Sequence, residues 1–147
     1  MRVLVTGGAG YVGSNLIKHL RKHTKSKITS LDNYFTGNAT NHVKGVEYVN
    51  DSTFNINRLP KQDIVYHFGE YSRVVPSFRD VEYLMTSNLW GTSRVVEQCK
   101  IWNAKLIYSA SSSKFGGNED LSPYSWVKAK MVELIKNYSE WYGLNYE

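Results

Sequence analysis

Val3-Leu4-Val5-Thr6-Gly7-Gly8-Ala9-Gly10-Tyr11-Val12-Gly13 decides the fold: three apolar residues run into a turn whose glycines are spaced Gly7-x-x-Gly10-x-x-Gly13. Residues 2–6 read as a buried parallel strand, and Val12, Leu16, Ile17 and Leu20 follow at helical spacing, giving strand, turn and helix in that order. Glycines in such a turn let the backbone pass close to a pyrophosphate while a helix N-terminus faces the anion. Turns of this composition also occur without a ligand, so the surroundings matter. A second apolar run, Ile28 to Leu31, ends in Asp32, nineteen residues after Gly13. A carboxylate at that strand end accepts hydrogen bonds from adenosine ribose hydroxyls and repels a 2′-phosphate, which favours NAD over NADP.

Further units follow outward from this one. Residues 46–50 read as a strand ending in Asp51, residues 63–68 as a buried strand ending at Gly69, and residues 105–109 as another strand. Helices are expected over about 81–102 and about 124–142, the second stopped at Gly143. Strands alternating with helices predict an α/β fold, a Rossmann-like doubly wound parallel sheet of five strands in the order 3-2-1-4-5 with helices on both sides. Pro60, Pro76 and Pro123 fall in the predicted connections.

A chain of 147 residues with 41% hydrophobic content can bury the core of one domain, here a dinucleotide-binding domain over 1–147. The apolar stretch at residues 3–5 is too short for a signal peptide, and no window approaches a membrane span. Cys99 is the one cysteine, so no internal disulfide forms. Beside Val95 and Val96 on a helix it reads as a buried, inert thiol, and a reducing cytoplasm is the expected compartment. The net charge of +5 gathers at Lys18, Arg21, Lys22, Lys25 and Lys27, around the end of the first helix. Cations suit a helix C-terminus, so this is read as a solvated face; no nucleic-acid or membrane partner and no metal site is expected.

Tyr124 and Lys128 stand four residues apart at a helix start, hence on one face. A lysine cation and a positively charged nicotinamide both favour a phenolate, which lets Tyr124 take a hydroxyl proton while the carbon gives up hydride. Upstream, Ser109-Ala110-Ser111-Ser112-Ser113 follows directly on the strand at 105–109. Its hydroxyls would face the crevice at the carboxyl ends of the strands, where one could hydrogen-bond the substrate oxygen that becomes a carbonyl; a plain serine turn is the alternative.

Together these residues resemble the extended short-chain dehydrogenase/reductases that act on nucleotide sugars, most closely the UDP-glucose 4-epimerases. The likeness covers essentially the whole chain. It is carried by residues 6–13, by Leu31-Asp32-Asn33, by His67-Phe68-Gly69, by Asn88-Leu89-Trp90-Gly91-Thr92, by residues 108–113 with Phe115-Gly116, and by Ser122-Pro123-Tyr124 with Lys128. The resemblance implies that Gly7, Gly10, Tyr11, Val12 and Gly13 form the pyrophosphate turn. Asp32, Asn33, Tyr34, Phe35, Thr36 and Gly37 would surround the adenosine, flanked by Asp51 and Ser52. Phe68, Gly69, Glu70 and Ser72 would pass the nicotinamide half, and Asn88 would support the site. Ser111, Tyr124 and Lys128 would be the catalytic group, with Tyr124 and Lys128 also touching the cofactor. The implied reaction is NAD-dependent epimerisation of a UDP-sugar through a 4-keto intermediate. The implied assembly is a homodimer through a four-helix bundle, to which Leu84, Leu89, Trp90, Val95, Val127, Met131 and Trp141 offer apolar surface, some of them facing the sheet instead. Dehydratases of the family resemble Thr-Asp-Glu where this chain has Ser111-Ser112-Ser113, and its decarboxylases carry a glutamate at position 113. The loop at residues 33–37 is nonetheless similar to that of the decarboxylases, which makes decarboxylation the next reading, and a non-catalytic NAD-binding module stands beside both.

Three positions depart from the pattern. Gly69-Glu70 stands where many members have two alanines, so Glu70 would either stabilise a cationic nicotinamide or point to solvent. The interval from Ser111 to Tyr124 is thirteen positions, shorter than in the epimerases, which implies a reduced lid. No residues match the C-terminal lobe that grips the nucleotide sugar, which implies a partial or minimal chain with little or no turnover by itself.

Overall fold

The computed structural model describes residues 1–112 and 121–147. Ser113 and the Phe115-Gly116 pair lie outside the described residues. Five parallel strands, β1 (Arg2–Thr6), β2 (Lys27–Asp32), β3 (Glu47–Asn50), β4 (Ile64–His67) and β5 (Lys105–Tyr108), form one sheet in the order β3-β2-β1-β4-β5. This is the predicted order. β1 is central, pairing Val5 with Ser30 on one side and with Tyr66 on the other.

Alternation along β1 sends its side chains to opposite layers, as the period of two in a strand requires. Val3 and Val5 pack with Ile28 against Ile17 and Leu20 of α1 (Tyr11–His23). Leu4, Leu31, Val65 and Leu106 pack on the other face against Val95, Val96, Cys99 and Trp102 of α3 (Gly91–Trp102) and Ile135 of α4 (Pro123–Tyr142). Cys99 is a free, buried thiol whose pKa burial pushes up to about 12, so it is inert, as expected.

The regular alternation of strands and helices fails at two connections. Between β2 and β3 there is only the 3₁₀ turn Ala39–Asn41, and between β3 and β4 only the 3₁₀ segment Thr53–Arg58, where an α-helix belongs in an ideal doubly wound sheet. Both stretches carry Asn and Thr, with Gly37 and Gly45 in the first and Ser52 in the second, residues that hydrogen-bond their own backbone or turn it; Asn38 and Ser52 each cap a short turn this way. The expected helix over about 81–102 changes pitch on the way: α2 (Val81–Leu84) leads into the π-helical stretch Met85–Trp90 and then into α3. Gly91 follows this stretch and lies against Thr53, whose Oγ1 would be 2.6 Å from an added Cβ. Pro123 is not in a connection but in the first turn of α4, where its missing N–H costs nothing. Ser122 caps that helix by accepting the Ser125 N–H at 3.1 Å, and Gly143 ends it at a φ of +70°.

Along the open edge of β5, Leu106 pairs in parallel with Tyr146. Val12, read both as part of the helical spacing of α1 and as a residue of the pyrophosphate turn, is 58% exposed and lines a crevice. Of the seven apolar residues offered for a bundle, Leu84, Val95, Val127 and Met131 are buried within the chain, Leu89 is half-buried, and Trp90 (60% exposed) and Trp141 (59%) stand out from the surface. Among the described residues no helix is long and apolar enough to cross a membrane.

Candidate functional site

Sheet topology places the site. β1 and β4 are adjacent, yet the chain leaves β1 toward β2 on one side and reaches β4 only after β3, so the connections diverge at their carboxyl ends and open a crevice there. The crevice measures about 540 Å³.

Its floor is the glycine turn. Gly7 has a φ of +69°, a left-handed conformation that a side chain would strain. A Cβ on Gly13 would stand 2.3 Å from the Gly7 carbonyl oxygen, so only glycine lets the first turn of α1 close onto the loop. Gly10 precedes α1 with no side-chain cap, and no acidic residue lies in the first turn, which leaves the positive end of the helix facing the crevice. That cradle fits a pyrophosphate.

Asp32 ends β2 at the crevice wall. Its Oδ2 accepts the Ala9 N–H at 2.9 Å and its Oδ1 the Tyr34 N–H at 2.8 Å, which fixes the carboxylate between turn and loop while each oxygen retains a further lone pair. Asn33, Phe35, Thr36 and Gly37 line the same wall, and Asp51 and Ser52 join them. Asp51 accepts hydrogen bonds from Asn55 Nδ2 and the Ser52 N–H, which hold its carboxyl below the usual range. Tyr34 does not line the crevice; its hydroxyl hydrogen-bonds His42 at 2.8 Å. Phe35 stacks on Tyr83 at 4.4 Å and Asn33 Nδ2 donates to the Tyr83 hydroxyl, so the loop after β2 reaches α2 across the strand ends. Tyr83, Thr86 and Ser87 thereby become crevice residues that the sequence reading missed. Their signal was a polar Thr-Ser pair inside a helix otherwise read for its apolar stripe.

Phe68, Gly69, Glu70 and Ser72 line the opposite wall. Asn88 supports it as expected, though not by facing the crevice: its side chain accepts the Tyr71 N–H at 2.7 Å and donates to the Tyr71 carbonyl at 2.8 Å, fixing the backbone after β4. Ser111 and Tyr124 are brought together, a Ser111 side-chain hydrogen bond reaching the Tyr124 phenol. Neither they nor Lys128 lines the crevice itself, although Ser109 beside them does.

Glu70 does not point to solvent. Its side chain is 5% exposed and pairs with Lys128, which is 4% exposed. Glu70 Oε1 also accepts the Thr92 hydroxyl at 2.8 Å and the Tyr108 hydroxyl at 3.0 Å. Lys128 donates in addition to the Ser109 carbonyl at 2.6 Å, and its ammonium lies 4.2 Å from the centre of the Tyr108 ring.

The cluster has one consistent arrangement of protons. Thr92 gives its only hydroxyl proton to Glu70, so the 2.9 Å contact between Thr92 Oγ1 and His67 Nε2 needs the proton on Nε2. A neutral imidazole then accepts at Nδ1, which takes the Thr6 hydroxyl at 2.6 Å. Thr6 Oγ1 in turn accepts the N–H groups of Phe68 (3.1 Å) and Gly69 (2.9 Å). A second proton on His67 has no acceptor in this chain of bonds. Burial depresses the His67 pKa to about 4, with Glu70 opposing that shift and Lys128 adding to it.

The expectation that a lysine cation eases ionisation of Tyr124 is corrected here. Burial and the Glu70 charge raise the Tyr124 pKa above its ordinary value, and the Ser111 hydrogen bond only partly offsets them. Among the described residues no cluster of His, Cys, Asp or Glu could hold a metal ion.

Residues 3–147 match the model of the NAD dependent epimerase/dehydratase family. The chain is similar to the ADP-L-glycero-D-manno-heptose-6-epimerase of Brachyspira hyodysenteriae, with 30% identity over 80% of this chain and 39% of the relative. It is also similar to UDP-glucuronic acid decarboxylase 6 of Arabidopsis thaliana, with 30% identity over 79% of this chain and 35% of that protein. Among solved structures it is similar to the UDP-glucose 4-epimerase of Thermus thermophilus in complex with NAD, with a TM-score of 0.87 and 27% identity over 99% of this chain and 53% of that one. The chain thus spans between about a third and about half of the length of these proteins.

Proposed function

Because the chain belongs to the NAD-dependent epimerase/dehydratase family, whose cofactor is NAD, we propose that it is the cofactor-binding and proton-transfer part of a nucleotide-sugar 4-epimerase. Its substrate is a UDP-sugar and its intermediate a 4-keto sugar. The observation that carries this reading is the meeting of Ser111 and Tyr124 beside a crevice whose glycine turn and Asp32 carboxylate fit a dinucleotide. NAD, when bound, accepts hydride from the sugar and later returns it. Tyr124 takes the proton of the sugar 4-hydroxyl and gives it back, while Ser111 hydrogen-bonds the same oxygen. Lys128 holds the nicotinamide ribose, Asp32 the adenosine ribose, and the N-terminus of α1 the pyrophosphate.

Serines at 111 and 112, and again at 113, supply neither the acid nor the base that elimination of water needs, which favours epimerisation over dehydration. Decarboxylation is the second reading, favoured by residues 33–37 and by the similarity to a UDP-glucuronic acid decarboxylase. The exposed Trp90, at the end of the π-helical stretch leading into α3, and Trp141 on α4 support a homodimer through these helices, and the single buried thiol suits a reducing, cytoplasmic setting.

The test is NMR-monitored interconversion of UDP-glucose and UDP-galactose with NAD⁺ present. The chain alone is expected to turn over little or nothing, because sugar positioning contributes much of the barrier reduction. Joined to the C-terminal lobe of the Thermus thermophilus relative it should epimerise, and Tyr124→Phe should lower that rate by about 100-fold or more. An unchanged rate in Tyr124→Phe contradicts the assignment, and release of CO₂ from UDP-glucuronic acid without epimerisation selects the second reading. NAD⁺ binding with no turnover of any sugar in the joined protein leaves a non-catalytic module.

A further inference from the structure

Two charges buried side by side at a reaction centre need a reason, since each loses hydration and is held only by its partner and its hydrogen bonds. Glu70 and Lys128 are such a pair, and the carboxylate is built in from three separate elements: Thr92 from α3, Tyr108 from β5 and Lys128 from α4. We propose that Glu70 is a positioning residue of this site: its carboxylate, fixed by Thr92 and Tyr108, captures the Lys128 ammonium and balances its charge, so that Tyr124 faces a neutral pair instead of a lone cation. The inference rests on the assignment of Tyr124 and Lys128 as the proton-transfer pair.

The geometry sets what Lys128 can still do. Of three ammonium N–H donors, one goes to Glu70 and one to the Ser109 carbonyl among the described residues, and the proposed role at a ribose hydroxyl would draw on the third. The pair therefore aims the lysine without occupying it fully. The titratable and charged groups that act on Tyr124 among the described residues are Glu70 from the segment after β4 and Tyr108 from β5, and Lys128 stands one turn further along the same helix, α4. The turn Val75–Phe78 contributes only the Ser77 hydroxyl, which accepts the Tyr124 N–H at 3.3 Å. With Lys128 balanced, Tyr124 stays protonated in the resting site, and the reaction it serves is carried to higher pH than in a site with an uncompensated lysine. The same carboxylate fixes the Nε2–H form of His67 through Thr92, which ties the catalytic end of α4 to the backbone beside the glycine turn.

The test needs neither cofactor nor sugar. Protein labelled with ¹³C at the tyrosine Cζ is titrated by NMR, the Tyr124 signal being assigned from its loss in Tyr124→Phe. In Glu70→Gln, which keeps the shape but not the charge, the Tyr124 midpoint should fall by about one unit or more from wild type; an unchanged or higher midpoint overturns the proposal. Should Glu70→Gln not fold, the double variant Glu70→Gln/Lys128→Met, which leaves no buried charge unpaired, decides the matter. Replacing a balanced pair by a neutral one should leave the midpoint within about half a unit of wild type. A rise of more than about one unit shows that Lys128 acted as a lone cation and contradicts the proposal. Failure of NAD⁺ to bind wild type would count against the functional reading alone, because the titration does not involve it.

Discussion

His67 shows how much one side chain holds in place here. It is fully buried, bonded at both nitrogens, and its pKa lies near 4 because burial penalises the imidazolium. The unfolded chain, with an ordinary histidine near 6.5, binds more protons than the folded one between those values, so stability is complete above about pH 6.5 and is lost as pH falls toward 4. Denaturant melts at pH 7.5 and 4.5 should differ by roughly 2.5 kcal/mol from this residue, a difference that His67→Gln removes. An equal pH dependence in the variant shows that His67 does not carry it. Position by position, the glycine turn and Asp32 were readable because their chemistry is local: a left-handed φ at Gly7 and a strand-end carboxylate need only their neighbours in sequence. The direction of Glu70 was not, because it is decided by Thr92 and Tyr108, 22 and 38 residues further on.

Among the elements, β1, β4 and β5 were legible because their centres are apolar runs bounded by turn residues, whereas Thr29 and Ser30 interrupt the run of β2 and β3 is only half-buried. All five appear within a residue or so of their expected ends. The missing helices on either side of β3 and the π-helical Met85–Trp90 were hidden for different reasons. The first stretches are polar loops whose local hydrogen bonds compete with helix, and the second shifts an apolar stripe by only one position, which leaves the 3.6-residue pattern almost intact. The N-terminus of α4 matters most for the proposed function, which assigns proton transfer to Tyr124 and Lys128 on it. Ser122 caps it and also hydrogen-bonds the Ser125 hydroxyl at 2.9 Å. Ser122→Ala should cost about 1 kcal/mol in denaturant melts and fray the turn that holds Tyr124. A variant as stable as wild type shows that the cap contributes nothing.

For the whole molecule, one sheet with divergent connections makes a crevice, and two layers of side chains hold it open. The order of the strands followed from the sequence pattern, whereas the outward faces of α3 and α4 did not, because four of the seven apolar residues available to a partner are consumed by the chain's own core. Of those seven, Trp90 and Trp141 stand well exposed, and a second copy covering them should give a light-scattering mass twice that of one chain, reduced by Trp90→Ser. A single-chain mass at high concentration removes the dimer.

The central claim is that the crevice between the glycine turn and Asp32 takes NAD. Calorimetric titration of the protein with NAD⁺ and, separately, with NADP⁺ tests it most directly. The account predicts NAD⁺ binding at least about tenfold tighter than NADP⁺, with that preference lost in Asp32→Ala, since the carboxylate both accepts the ribose hydroxyls and repels a 2′-phosphate. Equal affinity for the two, a preference for NADP⁺, or no binding of either would contradict it.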